Sequence, residues 1–484
     1  MIRVRTSAGY ALAVLTFINL FNYLDRWVVA AVVESIKRSE LHLSDTELGL
    51  VGTGFIFVYT LTSPIFGSLG DRRSRPPLIA IGVALWSIAT ALAGFARGFT
   101  SLFSARSAVG IGEAAYGTIA PALLADSFPL EKRGRVFATF FAAIPVGSAA
   151  GYVLGGLVDK HFGWRAAFWI AGAPGLLLAL LVMFIGDPPR GSQDASHGAP
   201  ASSGRTDPDM SDGAPASAGR MDSDMSHGAP ASAGRMDSDM SDGAPASAGR
   251  MDSDMSHGAP ASAGRMDPQA RPMHQAKAGA HPAKTGAPYR HLFKNTHYML
   301  TVIGYGAYTF ALGGLAFWMP AFLERSRGMT RSEATVTFGA IALVTGFVGT
   351  FAGGWLGDFF LRWTKQSYLW VSGIVTLVAA PVTYIALSDH RRGVYLAAIV
   401  IAELLIFAST GPVNSAIVNA VAPGERATAL GLSVFVMHLL GDIPSPPLIG
   451  RISDATSLEH AFLIVPLAVL IGGAIWTYAA WRAE

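Results

Sequence analysis

Twelve stretches of about 20 mainly apolar residues, each long enough to cross a bilayer as a helix, constrain this chain more than any motif in it. Six lie at roughly 9–36, 47–70, 77–96, 100–124, 135–158 and 166–186, and six more at roughly 297–323, 334–357, 368–388, 394–419, 427–450 and 460–481. In hydrocarbon every backbone N–H and C=O needs an internal partner, which a helix supplies within one segment. The expectation is an all-α polytopic membrane protein of 12 transmembrane helices, in two six-helix halves at 1–186 and 291–484. Composition agrees, with 51% hydrophobic and 14% charged residues.

Between the halves, 187–290 holds no apolar run. It carries a 15-residue repeat, SDGAPASAGRMDSDM at 211–225, SHGAPASAGRMDSDM at 226–240 and SDGAPASAGRMDSDM at 241–255, flanked by divergent copies. Each unit offers only Ala and Met to a core, too little to stack as a solenoid or to offset ordering entropy. A disordered linker is expected, either a plain spacer or a docking and regulatory element. MIRVRTSAG runs directly into the first apolar stretch with no small-residue cleavage pattern, so a retained span is expected there, not a signal peptide.

Lys and Arg in short loops set orientation. An even number of spans puts the N-terminus, linker and C-terminus on one side, with Arg3, Arg5, Arg72, Arg73, Arg75, Lys132, Arg133, Arg135, Arg362, Lys365, Arg426 and Arg482, besides linker residues Arg190, Arg290 and Lys294. The other side has Lys37, Arg38, Arg97, Lys160, Arg165, Arg325, Arg327, Arg331, Arg391, Arg392 and Arg451. The slight excess favours both termini and the linker in the cytoplasm, in a plasma (inner) membrane.

Several function classes are disfavoured. The net charge is +3, and no basic cluster interleaves with aromatics, so nucleic acid is not an expected partner. Cysteine is absent, which removes disulfides, thiolate metal sites and cysteine nucleophiles. G-x-S-x-G, H-E-x-x-H and P-loop patterns are also missing. Neither an enzyme nor direct ATP drive is expected, and no cofactor or metal is assigned.

Ionisable residues inside spans are costly and mark function. In NYLDRWVV (22–29), Asp25 and Arg26 sit side by side within the first span. Asn19, Asn22 and Arg26 fall at i, i+3 and i+7, one polar stripe facing the interior. Asp25 points roughly 100° away, either onto the same cavity or against a neighbouring helix. In the fourth span Arg106, Gly110 and Glu113 fall at i, i+4 and i+7, which separates Arg106 from Glu113 by about 10 Å along the axis. These charges either form static ion pairs pinning the first and fourth helices or line a site that exchanges a proton and grips an anion. The seventh span offers Tyr305, Tyr308 and Thr309 and no charge before its end. His438 and Asp442 in the eleventh stand at i and i+4: half of a metal site without an evident third ligand, a coupling histidine, or a satisfied packing pair. Glu403 in the tenth is a further buried carboxyl of undetermined facing.

The second span ends in GSLGDRRSRP (67–76) and the eighth in GGWLGDFFLRWTK (353–365), the same loop signature at the matching place in each half. Such repetition implies a duplicated fold, with Asp71, Arg72, Arg75 and Asp358 forming a latch in one conformation.

With this loop, RSAVGIGEA (106–114) and PVGSAAGYVLGG (145–156), the chain resembles the major facilitator superfamily. Within it, NYLDR (22–26), GDRRSRP (70–76), GIGEAAYGTIAP (110–121), GWRAAFWI (163–170) and HLLGDIPSPPLIGRISD (438–454) resemble the Spinster group of lysolipid and sphingosine-phosphate transporters. The resemblance implies a major facilitator fold with the first and fourth spans lining a central cavity, which brings Arg26 within reach of Glu113. It further implies proton-gradient-driven alternating access, with Glu113 and Asp25 coupling protons. A charged first half facing an aromatic second half suits an anionic head with a greasy tail. Arg26, Asn19, Asn22, Arg106, Tyr305, Tyr308 and His438 are the expected contacts for a lysolipid or similar amphipath. Membrane lipids are the other expected partners, and a monomer is expected.

Overall fold

The computed structural model describes residues 7–193, 288–422 and 426–484. The 15-residue repeats lie outside the described residues. All regular structure among the described residues is helical. The spans of the first half are Ala8–Lys37, Asp45–Arg72, Arg75–Ala93, Phe99–Ser127, Arg135–Phe162 and Trp164–Val182. Those of the second are Thr296–Arg327, Arg331–Phe360, Ser367–Ser388, Arg392–Asn419, Thr428–Ala455 and Leu458–Ala483. The chain is an integral, multi-pass membrane protein with twelve apolar helices among the described residues, and its two halves form one compact unit.

Helix starts follow local chemistry. The Ser44 hydroxyl accepts from the Glu47 N–H while Glu47 accepts from the Ser44 N–H, a reciprocal cap for the second span. Asn295 and Thr330 cap the seventh and eighth spans with their side chains alone, accepting from the Tyr298 and Glu333 N–H groups. The eleventh span, expected as one helix over 427–450, is interrupted: helix runs over Arg426–Leu440 and again over Ser445–Ala455. Pro444, Pro446 and Pro447 bring no N–H to this turn, and the Ile443 N–H returns to the His438 carbonyl at 3.1 Å.

Close packing positions the charged helices. A Cβ on Gly147 or Gly151 would collide with the Leu20 or Leu24 carbonyl, so the glycines of the fifth span let the first lie directly on it. Gly110 and Gly112 likewise let the fourth span touch the Phe55 backbone of the second and the Gly82 backbone of the third. These approaches bring Arg106 and Glu113 beside the first span.

We call the side holding residues 187–193 and 288–294 the linker side, and the other the distal side. Residues 187–193, within the stretch read from sequence as linker, are tied to the first half. Buried Arg75 donates to Asp187 at 2.7 Å, to Asp126 at 2.6 Å and to the Pro188 carbonyl at 2.5 Å. Arg190 donates to the carbonyls of Gly70 and Arg73 at 2.6 and 2.7 Å.

Candidate functional site

Arg26 and Glu113 come together. Arg26 Nε donates to Glu113 Oε2 at 2.8 Å, the arginine 17% exposed and the carboxylate wholly buried. The guanidinium lies over Tyr23, Phe55 and Tyr59, at 4.7, 4.9 and 5.1 Å from the ring centroids. Aromatic faces stabilise a desolvated cation, so this arginine is held in the membrane by three π systems and one carboxylate. Glu113 Oε1 has no hydrogen-bond partner among the described residues. The pair therefore satisfies the cation more fully than the acid.

Asp25 turns to the other face of the helix, as the 100° step requires. Its Oδ1 accepts from Arg106 Nη1 at 3.0 Å and its Oδ2 from the Thr90 hydroxyl at 2.7 Å, and both charged partners are 1% exposed. One carboxylate thus ties the first, third and fourth spans. Of the two placements open to Asp25 from the sequence, packing against neighbours is the one realised, and Arg106 goes with it. Each of the two arginines, Arg26 and Arg106, is matched to its own carboxylate. Thr90 carries no sequence signal for this role, since a lone Thr in an apolar helix commonly bonds its own backbone.

The other expected contacts are distributed differently. Asn19 is buried and donates to the Phe140 carbonyl of the fifth span at 2.9 Å, so the polar stripe bends into a helix contact at that end. Asn22 is buried with its amide nitrogen unpartnered. Tyr308 is committed to the Ile406 carbonyl and to Thr410, each at 3.0 Å, while Tyr305 accepts from Asn414 at 3.4 Å. His438 Nδ1 lies 2.8 Å from Asp442 Oδ1, beside the interruption of the eleventh span. Buried polar groups find protein partners before they find a ligand, which explains why Asn19, Arg106 and Tyr308 are already engaged.

The four latch residues do not bridge the halves among the described residues. Asp71 and Arg72 are exposed, and Asp71 borders a cavity of about 170 Å³ with Arg75, Asp126 and Arg190. Arg75 is spent within the first half, and Asp358 accepts from Tyr368 at 2.8 Å within the second. The halves join at the opposite face. The second span packs on the eleventh and the fifth on the eighth, and polar bonds close the distal side.

Asp45 is the hub of that closure. It takes two bonds from Arg325, at 2.6 and 2.9 Å, one from Lys37 at 2.7 Å and one from Ser453 at 2.6 Å. Asp454 of the second half accepts the Asp45 and Thr46 N–H groups at 2.8 and 2.9 Å, so it caps the second span from across the interface. Arg325 also pairs with Glu34, Arg38 with Glu324 at 2.8 Å, and Arg331 with Asp159 at 2.9 Å. From the sequence these arginines enter only the tally of loop charge; the partners they take across the interface lie more than a hundred positions away.

This closure yields a test. The cysteine-free chain accepts spin labels at Glu40→Cys and His390→Cys, exposed positions on the distal ends of the two halves. With Arg325→Ala, the population of long label separations is expected to rise about tenfold, since 1.4 kcal/mol of lost closure shifts the equilibrium by that factor. An unchanged distance distribution would remove Arg325 from the closure.

The sequence matches the family model of the Major Facilitator Superfamily over residues 15–446. It is 30% identical to protein spinster homolog 3 of Danio rerio, covering 96% of this chain and 83% of that one. Against protein spinster homolog 1 of Xenopus tropicalis it is 29% identical, over 97% of this chain and 80% of that protein. The fold is similar to the crystal structure of a bacterial homolog to the human lysosomal transporter Spinster, in an inward-facing and unoccupied conformation. That similarity has a TM-score of 0.74 at 21% identity, covering 98% of this chain and 97% of the other. A D-xylose-proton symporter shares the fold at a TM-score of 0.62 and 14% identity, covering 98% of this chain and 97% of that one. The duplicated loop, the paired charges of the first and fourth spans and the full-length relatives converge: the chain belongs to the major facilitator superfamily and, within it, to the Spinster family of transporters.

Proposed function

We propose that this transporter moves an amphipathic anionic lipid, a lysophospholipid or a sphingosine-phosphate-like molecule, by alternating access coupled to protons. The observation that carries the reading is the single bond between Arg26 and Glu113. An anionic head arriving at Arg26 competes with Glu113 for one guanidinium, which suits phosphate through its paired donors. Once displaced, the wholly buried Glu113 has no second cation in bonding contact, and a carboxylate in that position takes up a proton. Substrate and proton then enter together, so a pH gradient drives flux with no resident cofactor.

In this reading the distal closure opens as the latch residues engage on the linker side. Asp25, bound to Arg106, holds the first and fourth spans in register and biases the proton site. The membrane is a plasma membrane with termini and linker cytoplasmic, and the protein acts as a monomer among bilayer lipids.

The test is lysolipid flux into proteoliposomes with and without a pH gradient. Glu113→Gln is expected to lose gradient-driven accumulation while keeping downhill exchange. Undiminished gradient-driven accumulation in that variant rejects the coupling role. Flux competed by small organic anions and indifferent to lysolipid would replace the lipid cargo with a drug or organic-anion cargo.

A further inference from the structure

Glu403 in the tenth span is a buried acid that the Arg26 and Glu113 reading does not use. It is 5% exposed, and among the described residues no Lys, Arg or His comes within ion-pair distance of it. Its polar contact is the Thr345 hydroxyl of the eighth span, 3.0 Å from Glu403 Oε2. The same hydroxyl lies 2.8 Å from the Ile341 carbonyl one turn earlier.

A threonine hydroxyl has one proton to donate and lone pairs that accept. The carbonyl of Ile341 can only accept, and so can an ionised Glu403. With one proton, Thr345 cannot donate to both. Both contacts become full hydrogen bonds when Thr345 donates to Ile341 and a protonated Glu403 donates to Thr345. An ionised Glu403 would compete for that single proton, buried and without a counter-ion, which is the costlier arrangement.

Among the described residues, the titratable groups in electrostatic reach are Tyr152 of the fifth span and Tyr308 of the seventh, and neither supplies positive charge. Tyr152 belongs to the opposite half. Its hydroxyl donates to the Ala316 carbonyl at 2.6 Å, one of the bonds that join the halves. On the alternating-access reading, parting of the halves on the distal side breaks that bond and carries Tyr152 away from Glu403.

We infer that Glu403 is a second proton-carrying site: it holds a proton toward Thr345 while the distal side is sealed, and exchanges it with water when that side opens. The neutral carboxyl stands on the hydrogen-bond count alone, whereas its gated exchange rests on the alternating-access reading.

Infrared difference spectroscopy on the reconstituted full chain tests both parts. At neutral pH a carboxylic-acid C=O band that shifts in D₂O is expected in wild type, lost in Glu403→Gln and retained in Glu113→Gln. Glutamine keeps a donor toward Thr345, and a thermal melt close to wild type establishes that the variant is folded. Thr345→Val is expected to retain the band and move it to higher frequency, as for an acid without a partner. A band unaffected by Glu403→Gln overturns the proton assignment. In Arg325→Ala the band is expected to titrate with bulk pH while wild type resists; identical titration in the two overturns gated exchange. Absence of lysolipid flux would reject the proposed cargo and leave these spectra unchanged.

Discussion

Alanine at Asp25 is expected to cost about 3–5 kcal/mol of stability, the usual penalty for orphaning one member of a buried ion pair. Arg106 is 1% exposed and would keep its charge with no carboxylate in ion-pair contact among the described residues, while Thr90 would lose its acceptor. The loss reads out as a lower thermal midpoint in detergent and less folded protein in the membrane. Arg106→Leu in the same chain removes the orphaned cation and is expected to recover most of the midpoint, because an apolar replacement of a whole buried pair is often neutral. A single Asp25→Ala variant that melts with wild type would show that the pair contributes nothing to the helix contacts. Asp25→Asn separates charge from shape, since it keeps an acceptor for Thr90 but leaves Arg106 unneutralised.

Alanine at Arg26 is expected to leave the fold in place and lower lysolipid flux about 30- to 1,000-fold, the range given by 2–4 kcal/mol for truncating one partner of a buried, hydrogen-bonded charge pair. Arg26 is partly exposed, so the vacated space can hold water, unlike the Asp25 site. The same variant deprives Glu113 of its counter-ion, so the response to a pH gradient is expected to vanish with the flux. Arg26→Lys keeps the charge but offers no planar fork, and recovers a small part of the activity. Flux measured across phosphate-bearing and neutral head groups is the check. Equal loss for all cargoes would place Arg26 in the proton relay alone, and undiminished flux would remove it from the site.

These two residues are adjacent in the chain, yet the expected results differ in kind. Helical geometry explains why. A step of 100° sends Asp25 into the seam with the third and fourth spans and Arg26 toward the aromatic rings of Tyr23, Phe55 and Tyr59. The polar stripe of Asn19, Asn22 and Arg26 was legible in the spacing, and so was the reach of Arg26 to Glu113 once the family's helix order was supplied. That Asn19 would be used by the Phe140 carbonyl was not legible, because it depends on where the fifth span lies. The seventh-span tyrosines illustrate the same limit: spacing locates Tyr305 and Tyr308, but only the tenth span, arriving beside them, decides that Tyr308 is occupied.

The distal closure lies further from what spacing reveals. Asp45 looks like the first residue of a capped helix, and Arg325 like one more loop cation. Their bond spans the two halves and forms only because this conformation is sealed on that side. The motif loops, conspicuous in the sequence, are parted here, with Asp71 and Arg72 exposed. Sequence repetition marks matching loops in the two halves but carries no information about whether those loops meet.

Apolar segment length, the two sets of six, the duplicated loop and the periodic glycines were settled by the sequence alone, because helix formation in hydrocarbon is a local requirement that each segment meets within itself. Partners for Asp25, the Thr345 contact of Glu403, the interruption at Gly441–Pro444 and the sealed distal side were decided by tertiary structure. Each is a matter of which buried groups from distant spans meet, and in a low dielectric an unmet charge or donor costs more than the local preference of any one helix.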